Sequence, residues 1–313
     1  MCDLTAPYFL DKDKARERLE SLRWPDGPIC PHCGSIKAWP IKTRAGLYKC
    51  GTYGCGKQFT VTVGTVFERS KVPLNKWLMA VYLMCSSKKG ISSHQLHRTL
   101  GVTYKTAWFM SHRIREAMRD DSGEILGSGG GTVEADEAFI GTQDPKRKNK
   151  GGGSHKMKVL SLVERGGRIR SFHVPNVKAE TLHPILMDEI SHDARLMTDG
   201  GGQYRGLNKH FAEHNTVDHS SGEYARGDVY TNTLESYFGV MKRGISGVYQ
   251  HVSKQHLQRY CSEFDHRFTY RTANGYSDME RTDLALIGIG GKRLTYRMTF
   301  GRNADNPGRV SGS

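Results

Sequence analysis

Asn232-Thr-Leu-Glu-Ser-Tyr-Phe-Gly-Val-Met-Lys-Arg243 reads as a helix with one polar edge. Asn232, Glu235, Gly239 and Lys242 recur at helical spacing and share a face. Leu234, Phe238 and Met241 line the neighbouring face and are suited to burial. Alone, the edge reads as a surface charge pair. Two upstream aspartates point to more. Thr132-Val-Glu-Ala-Asp-Glu-Ala-Phe-Ile-Gly141 follows a Gly/Ser-rich break and has the partly alternating pattern of a strand, with Asp136 in its middle. A carboxylate there is costly to bury without a positive partner. Ala194-Arg-Leu-Met-Thr-Asp-Gly-Gly-Gly202 is a short apolar run that stops at Asp199 and turns on glycines. An Asp at the carboxyl end of such a strand points into the usual ligand crevice of an α/β sheet. Asp136, Asp199 and Glu235 together are an oxygen ligand set suited to Mg²⁺ or Mn²⁺. Two such ions about 4 Å apart serve phosphoryl transfer.

Composition narrows the class. The chain has 313 residues, a formal charge of +14 and seven cysteines. That length admits two or more domains. The charge points to a polyanionic partner, most simply nucleic acid, although a basic ribosomal or membrane-surface protein shares it. No eighteen-residue apolar run and no secretory pattern is visible. A cytoplasmic protein, associated with the nucleoid when DNA-bound and without a membrane partner, is expected.

From the N-terminus, residues 1–28 contain a short amphipathic helix whose Leu19, Leu22 and Trp24 can dock on the next segment. Cys30-Pro-His-Cys33 and Cys50-Gly-Thr-Tyr-Gly-Cys55 then form two cysteine pairs, each followed by glycine. Four thiolates in this order read as a closed, structural Zn²⁺ site in a ribbon, with strands expected within 36–48 and 58–66. Residues 75–119 are helical in pattern. Ser92 and Thr103 are helix caps, and Gly101 sits in the turn between two helices. Helix, turn, helix suits DNA docking through Lys105 and Thr106, with Trp108 buried behind; a plain helical connector is the alternative.

A linker is expected at 120–131. Beyond it, Lys146, Arg147 and Lys148 lie in a basic glycine-rich loop suited to phosphates or merely to solvent. Residues 157–163 and 169–174 read as a hairpin and 178–190 as a helix. After the strand ending at Asp199 come a short helix near 204–214, a strand and loop within 216–228, and a basic helical tail over 251–271. Residues 303–313 look disordered. The boundaries expected are 1–72 for the N-terminal helix and ribbon, 73–126 for the helix-turn-helix, 127–273 for the α/β domain with its basic extension, and 274–313 for a C-terminal tail.

The order of elements resembles the ribonuclease H-like core of DDE transposases and retroviral integrases. Cys30-Pro-His-Cys33, Glu134-Ala-Asp-Glu137, Thr198-Asp-Gly200, Asp218-His-Ser220, Tyr230-Thr-Asn-Thr-Leu-Glu235 and Lys242-Arg-Gly244 are similar to the ISXO-like insertion-sequence transposases. The resemblance implies a multidomain α+β chain: a zinc ribbon, a helix-turn-helix, and an α/β ribonuclease H-like core with a mixed five-stranded sheet and helices. It implies that Asp136, Asp199 and Glu235 bind two Mg²⁺ and that Lys242, followed by Arg243, contacts a terminal phosphate. Asn232 and His219 are accessory candidates, for which a helix cap and a loop histidine are the plain alternatives. Glu137 faces opposite to Asp136 in a strand, so only one of them joins the site. The function implied is a DNA transposase acting on element ends and target DNA, as a homo-oligomer. The alternatives are a non-catalytic DNA-binding regulator derived from one, and a nuclease that cuts without joining.

Overall fold

The computed structural model describes residues 4–141, 156–217 and 225–295. The chain forms two compact units, one from residues up to 119 together with those from 276 on, the other from 120–275.

The first unit starts with α1 (Pro7–Leu10) and α2 (Lys12–Arg23). Asp11 caps α2, its carboxylate accepting from the N–H groups of Asp13 and Lys14 at 2.8 Å. Three short antiparallel strands come after it: β1 (Ala38–Pro40), β2 (Tyr48–Cys50) and β3 (Gln58–Phe59). They are shorter than the sequence suggests, because residues 41–47 and 60–64 turn instead of extending, the Leu47 N–H donating to the Arg44 carbonyl and the Val63 N–H to that of Thr60. Tyr48 and Phe59 form one face of this sheet, and Trp24 meets both edge-on, so α2 docks as its apolar residues foretold. α3 (Leu74–Ser86), α4 (Ser93–Leu100) and α5 (Tyr104–Ala117) come next. The buried Trp77, Leu78, Val81 and Met84 of α3 centre the unit's core, each contributing about 1.5–3 kcal/mol. Ser92 caps α4 and Thr103 caps α5, while Gly101 closes α4 at φ +60°. Trp108 is only half-buried, a correction to the expectation of a buried ring, and His112 lies against it at 4.3 Å.

The second unit is built on a five-stranded sheet in the order β6-β5-β4-β7-β8. β4 (Thr132–Ile140), β5 (Met157–Glu164) and β6 (Ile169–Val174) are antiparallel neighbours; β7 (Arg195–Asp199) and β8 (Glu213–Val217) continue from β4 in parallel. Strand alternation gives the sheet two apolar faces. Val133, Ala135 and Leu162 pack with Leu182 and Leu186 of α6 (Ala179–Glu189). Ala138, Ile140 and Val159 pack with α7 (Asn232–Gly244) and α8 (Leu257–Thr269). The expected helix near 204–214 is instead two 3₁₀ turns, Gly202–Tyr204 and Leu207–Lys209, ahead of β8. Glycines at 200–202 and 206 interrupt the segment before a helix can propagate. The expected linker is only partly one: Leu126 is buried and bridges to Ile190, and Gly127, at φ +73°, lies so close to Ala194 and Val133 that a Cβ would clash at 2.7 Å.

The α8 face is less charged than its sequence suggests. Arg259 and Arg267 are buried, Arg267 in an ion pair with buried Glu263 and Arg259 against His256. The chain returns to the first unit in α9 (Asp278–Ile287), which opens on a capping box between Ser277 and Glu280 and buries Ala285 and Leu286. The residues expected to be disordered, 303–313, lie outside the described residues. Among the described residues no helix is long and apolar enough to cross a membrane.

One polar network ties the layers of the second unit. Asp265 of α8 accepts from the N–H and hydroxyl of Ser171 on β6, at 2.9 and 2.7 Å, and from the Tyr237 hydroxyl of α7. Burial pushes the Asp265 carboxyl up to about 7 against these donors. A raised folded-state value means that the folded protein holds this proton more tightly than the unfolded chain. That stabilisation is present at low pH and is lost as pH rises through about 7. The melting temperature of the native protein should therefore fall between about pH 5 and pH 8 by more than that of Asp265→Asn. Parallel pH profiles for the two proteins would contradict the burial of this charge.

Candidate active site and metal centre

β4 and β7 place the two aspartates side by side. Their parallel register pairs Thr132 with Arg195 and Glu134 with Met197. Two residues further along each strand come Asp136 and Asp199, on one face of the sheet. That face is the one covered by α7, since Ala138, of the same parity as Asp136, packs with Leu234 and Met241. Asp136 accepts from the Glu137 N–H at 2.7 Å, and Asp199 from the Gly201 N–H at 3.0 Å.

Glu137 points to the opposite face, where Gln203 donates to it at 3.4 Å and buried Tyr204 lies beside it. Burial, then the charges of Asp136 and Asp199, raise its carboxyl to about 7. Three carboxyl groups, those of Asp136, Glu137 and Asp199, thus lie in the middle of the sheet, within a chain of net charge +14.

Glu235 sits in the first turn of α7, exposed. What sets its place is Glu134, two residues before Asp136 and on the same face. The N-cap residue of α7, Thr231, makes no side-chain cap. The fully buried Glu134 carboxylate does that work from the neighbouring strand, accepting from Thr233 N at 3.0 Å, Leu234 N at 3.3 Å and the Thr233 hydroxyl at 2.9 Å. It takes up N–H groups that a helix start otherwise leaves unpaired, and its charge suits the positive end of the helix dipole. Arg165 donates to Glu134 at 2.8 Å, and its other nitrogens reach the carbonyls of Asp228 and Tyr230 at 2.7 and 2.9 Å. Its guanidinium lies 3.6 Å from the Tyr230 ring centroid. Strand β4, the turn after β5, the segment before α7 and α7 itself thus meet at one carboxylate.

Along α7, Asn232, Lys242 and Arg243 are exposed and Gly239 is half-buried between them, so the polar edge read from the sequence is formed. The Lys242 ammonium lies 6.0 Å from the Phe238 ring centroid, and the Arg243 guanidinium lies over Gly239. Lys105 is exposed and Thr106 half-buried in the first turn of α5. Lys146, Arg147, Lys148 and His219 lie outside the described residues.

The four cysteines do converge. The Sγ atoms of Cys30, Cys33, Cys50 and Cys55 all lie within 4.8 Å of one another, with 3.8 Å between Cys30 and Cys55 and 3.6 Å between Cys33 and Cys50. A tetrahedral Zn–S distance of about 2.3 Å gives S···S edges of about 3.8 Å, so this donor set fits zinc. Hydrogen bonding from Thr52 holds the Cys50 thiol down, to about 6, while, against a backbone hydrogen bond from Ser35, burial and hydrogen bonds among the thiols push Cys33 up to about 11.

The ISXO2-like transposase domain matches residues 129–269, and the transposase zinc-ribbon domain matches residues 10–58. A protein of Halobacterium salinarum described as an uncharacterized protein in transposable element ISH50 is 30% identical over 277 residues, covering 83% of this chain and 91% of the relative. This chain belongs to the ISXO2-like transposase family. An uncharacterized transposase-like protein of Haemophilus influenzae is 28% identical over 95 residues, 30% of this chain and 76% of that protein. The first domain match spans the strand of Asp136, the strand of Asp199 and the helix of Glu235. The second covers all four cysteines.

Reading from the sequence missed Glu134 as an organiser. Its signal was there, in its position two residues before Asp136 in an apolar strand. Arg165 had no comparable signal, because nothing in a hairpin turn announces a partner 31 residues away. Replacing Glu134 with Ala strands Arg165 and uncaps α7, a loss of about 3–5 kcal/mol expected for breaking a buried pair. Chemical denaturation checks this. Glu134→Ala with native stability would show that the joint does not hold α7.

Proposed function

We propose that this chain is a DNA transposase that binds the ends of its own insertion sequence and cuts and joins strands at a site built from Asp136, Asp199 and Glu235. The observation that supports this is the parallel pairing of β4 with β7, whose register carries Asp136 and Asp199 onto the face of the sheet that α7 covers. Carboxylates gathered on neighbouring strands of an otherwise basic chain suit a cation, and their oxygens select hard ones such as Mg²⁺ or Mn²⁺. The sheet, antiparallel through β6-β5-β4 and parallel through β4-β7-β8, with helices on both faces, supports a ribonuclease H-like reading of this unit.

Asp136 and Asp199 offer fixed oxygens from the sheet, and Glu235 offers a third from the first turn of α7. The chemistry that bound Mg²⁺ or Mn²⁺ supplies is activation of the attacking oxygen and stabilisation of the leaving one. Lys242, two turns beyond Glu235 on the same edge, meets a phosphate of the DNA end, with Arg243 and Asn232 beside it. Positioning of the strand by these groups brings the scissile phosphorus in line with its attacker. Lys105 and Thr106, in the first turn of α5, would meet DNA if α4 and α5 act as a helix-turn-helix. Zinc, held by Cys30, Cys33, Cys50 and Cys55, would be structural. Two element ends must be brought together for transposition, so the working form is a homo-oligomer on DNA.

Purified protein incubated with labelled element-end duplex should nick it and join it to a second duplex only with Mg²⁺ or Mn²⁺. Asp199→Asn should lower both steps at least about 1000-fold, on the scale of transition-state charge stabilisation. Equal end binding by both proteins with no cleavage under either metal would overturn the catalytic reading and leave a DNA-binding regulator.

A further inference from the structure

The ribbon sheet has a second face that the core does not use. Tyr48 and Phe59 turn inward to Trp24. Their neighbours along the strands turn outward, and the register sets Trp39 opposite Lys49 and Lys49 opposite Gln58. Trp39 is 60% exposed, an unusual position for so large an apolar group. It is nevertheless held. A Cβ on Gly51 would come within 2.6 Å of the indole Nε1 and 2.8 Å of Cε2, so the ring lies against the bare glycine backbone. Gly51 follows Cys50, and its N–H donates to the Lys37 carbonyl at 2.7 Å, so the support is part of the cysteine turn.

Charge singles out the same region. From Gly27 to Phe67 there is no Asp or Glu, while Lys37, Lys42, Arg44, Lys49 and Lys57 are present. All five basic side chains are exposed. A zinc centre with four thiolates carries two negative charges, which leaves the segment positive.

We infer that the outer face of the ribbon, Lys37, Trp39 and Lys49 with Gln58, is a DNA-binding surface as well as one face of a structural knuckle. Lys37 and Lys49 contact phosphates, and the pinned indole packs on a sugar or base of the DNA resting on them. Lysines beside a rigid aromatic are the pattern that nucleic acid rewards: charge for the backbone, a flat apolar surface for the groups between phosphates. The assignment rests on the proposed function for its partner and adds a binding surface separate from α5 and α7.

The test is fluorescence anisotropy of full-length protein on a labelled random-sequence duplex, blunt and with a single-stranded overhang, across a salt series. Lys37→Gln with Lys49→Gln should weaken binding and lower the slope of log affinity against log salt by about 2, near 0.9 for each phosphate no longer neutralised. Trp39→Ala should weaken binding to at least one probe about 5-fold or more and leave the slope unchanged. Gly51→Ala, whose new methyl displaces the indole, should reproduce Trp39→Ala. Zinc stoichiometry should stay at the wild-type value in all variants, which separates a weakened DNA surface from an unfolded ribbon. Variants that retain zinc and bind both probes as tightly as wild type, with the same salt slope, would overturn this inference and leave the transposase reading intact. A wild-type protein that binds neither probe also overturns this inference, while the transposase reading stands or falls on the element-end assay.

Discussion

A carboxylate with no access to water organises the second unit. Glu134 lies inside a strand, between sheet and helix, where an ionised group without partners would be prohibitively costly. Arg165 offsets that cost with charge, and the start of α7 offsets it with N–H groups. The helix cannot slide or tilt without leaving the carboxylate short of donors. Glu235, one turn into that helix, inherits its position from the joint. Asp136, two residues along the strand, inherits its own from the same strand. One ion pair thus joins the strand that carries Asp136 to the helix that carries Glu235.

The polar network around Asp265 acts at the other side of α7. Tyr237 is two residues after Glu235, and its hydroxyl reaches Asp265 and Ser171. Leu234 and Met241, buried on the same helix, fill the space between these anchors. α7 is therefore fixed by a charged joint at its N-terminus and a hydrogen-bonded one in its second turn, while its outward edge of Asn232, Glu235, Lys242 and Arg243 stays open.

Much of this is legible in the sequence, because periodicity reports burial. The spacing of Leu234, Phe238 and Met241 marks the buried side of α7, and the glycines after Asp199 mark the end of β7. The cysteine pairs foretell their convergence, since four thiolates in two turns have few other arrangements. What is hidden depends on pairing across the sequence. Arg259 and Arg267 read as a charged face because nothing local shows that His256 and Glu263 enclose them. The stretch near 204–214 has enough apolar residues for a helix, but glycine entropy at 201, 202 and 206 leaves only 3₁₀ turns. α9 falls within the expected tail, although Ser277 and Glu280 carry the spacing of a capping box.

In the proposed function, Glu134 and Arg165 hold α7 so that Glu235 adds a third oxygen to those of Asp136 and Asp199 around a cation. The most direct measurement is a crystal structure grown with Mn²⁺, in which anomalous scattering locates the ion independently of the protein atoms. The expected result is a peak with carboxylate oxygens of Asp136, Asp199 and Glu235 at about 2.0–2.2 Å. Mn²⁺ bound by other groups, or Glu235 turned away from an ion held by the two aspartates alone, would contradict it.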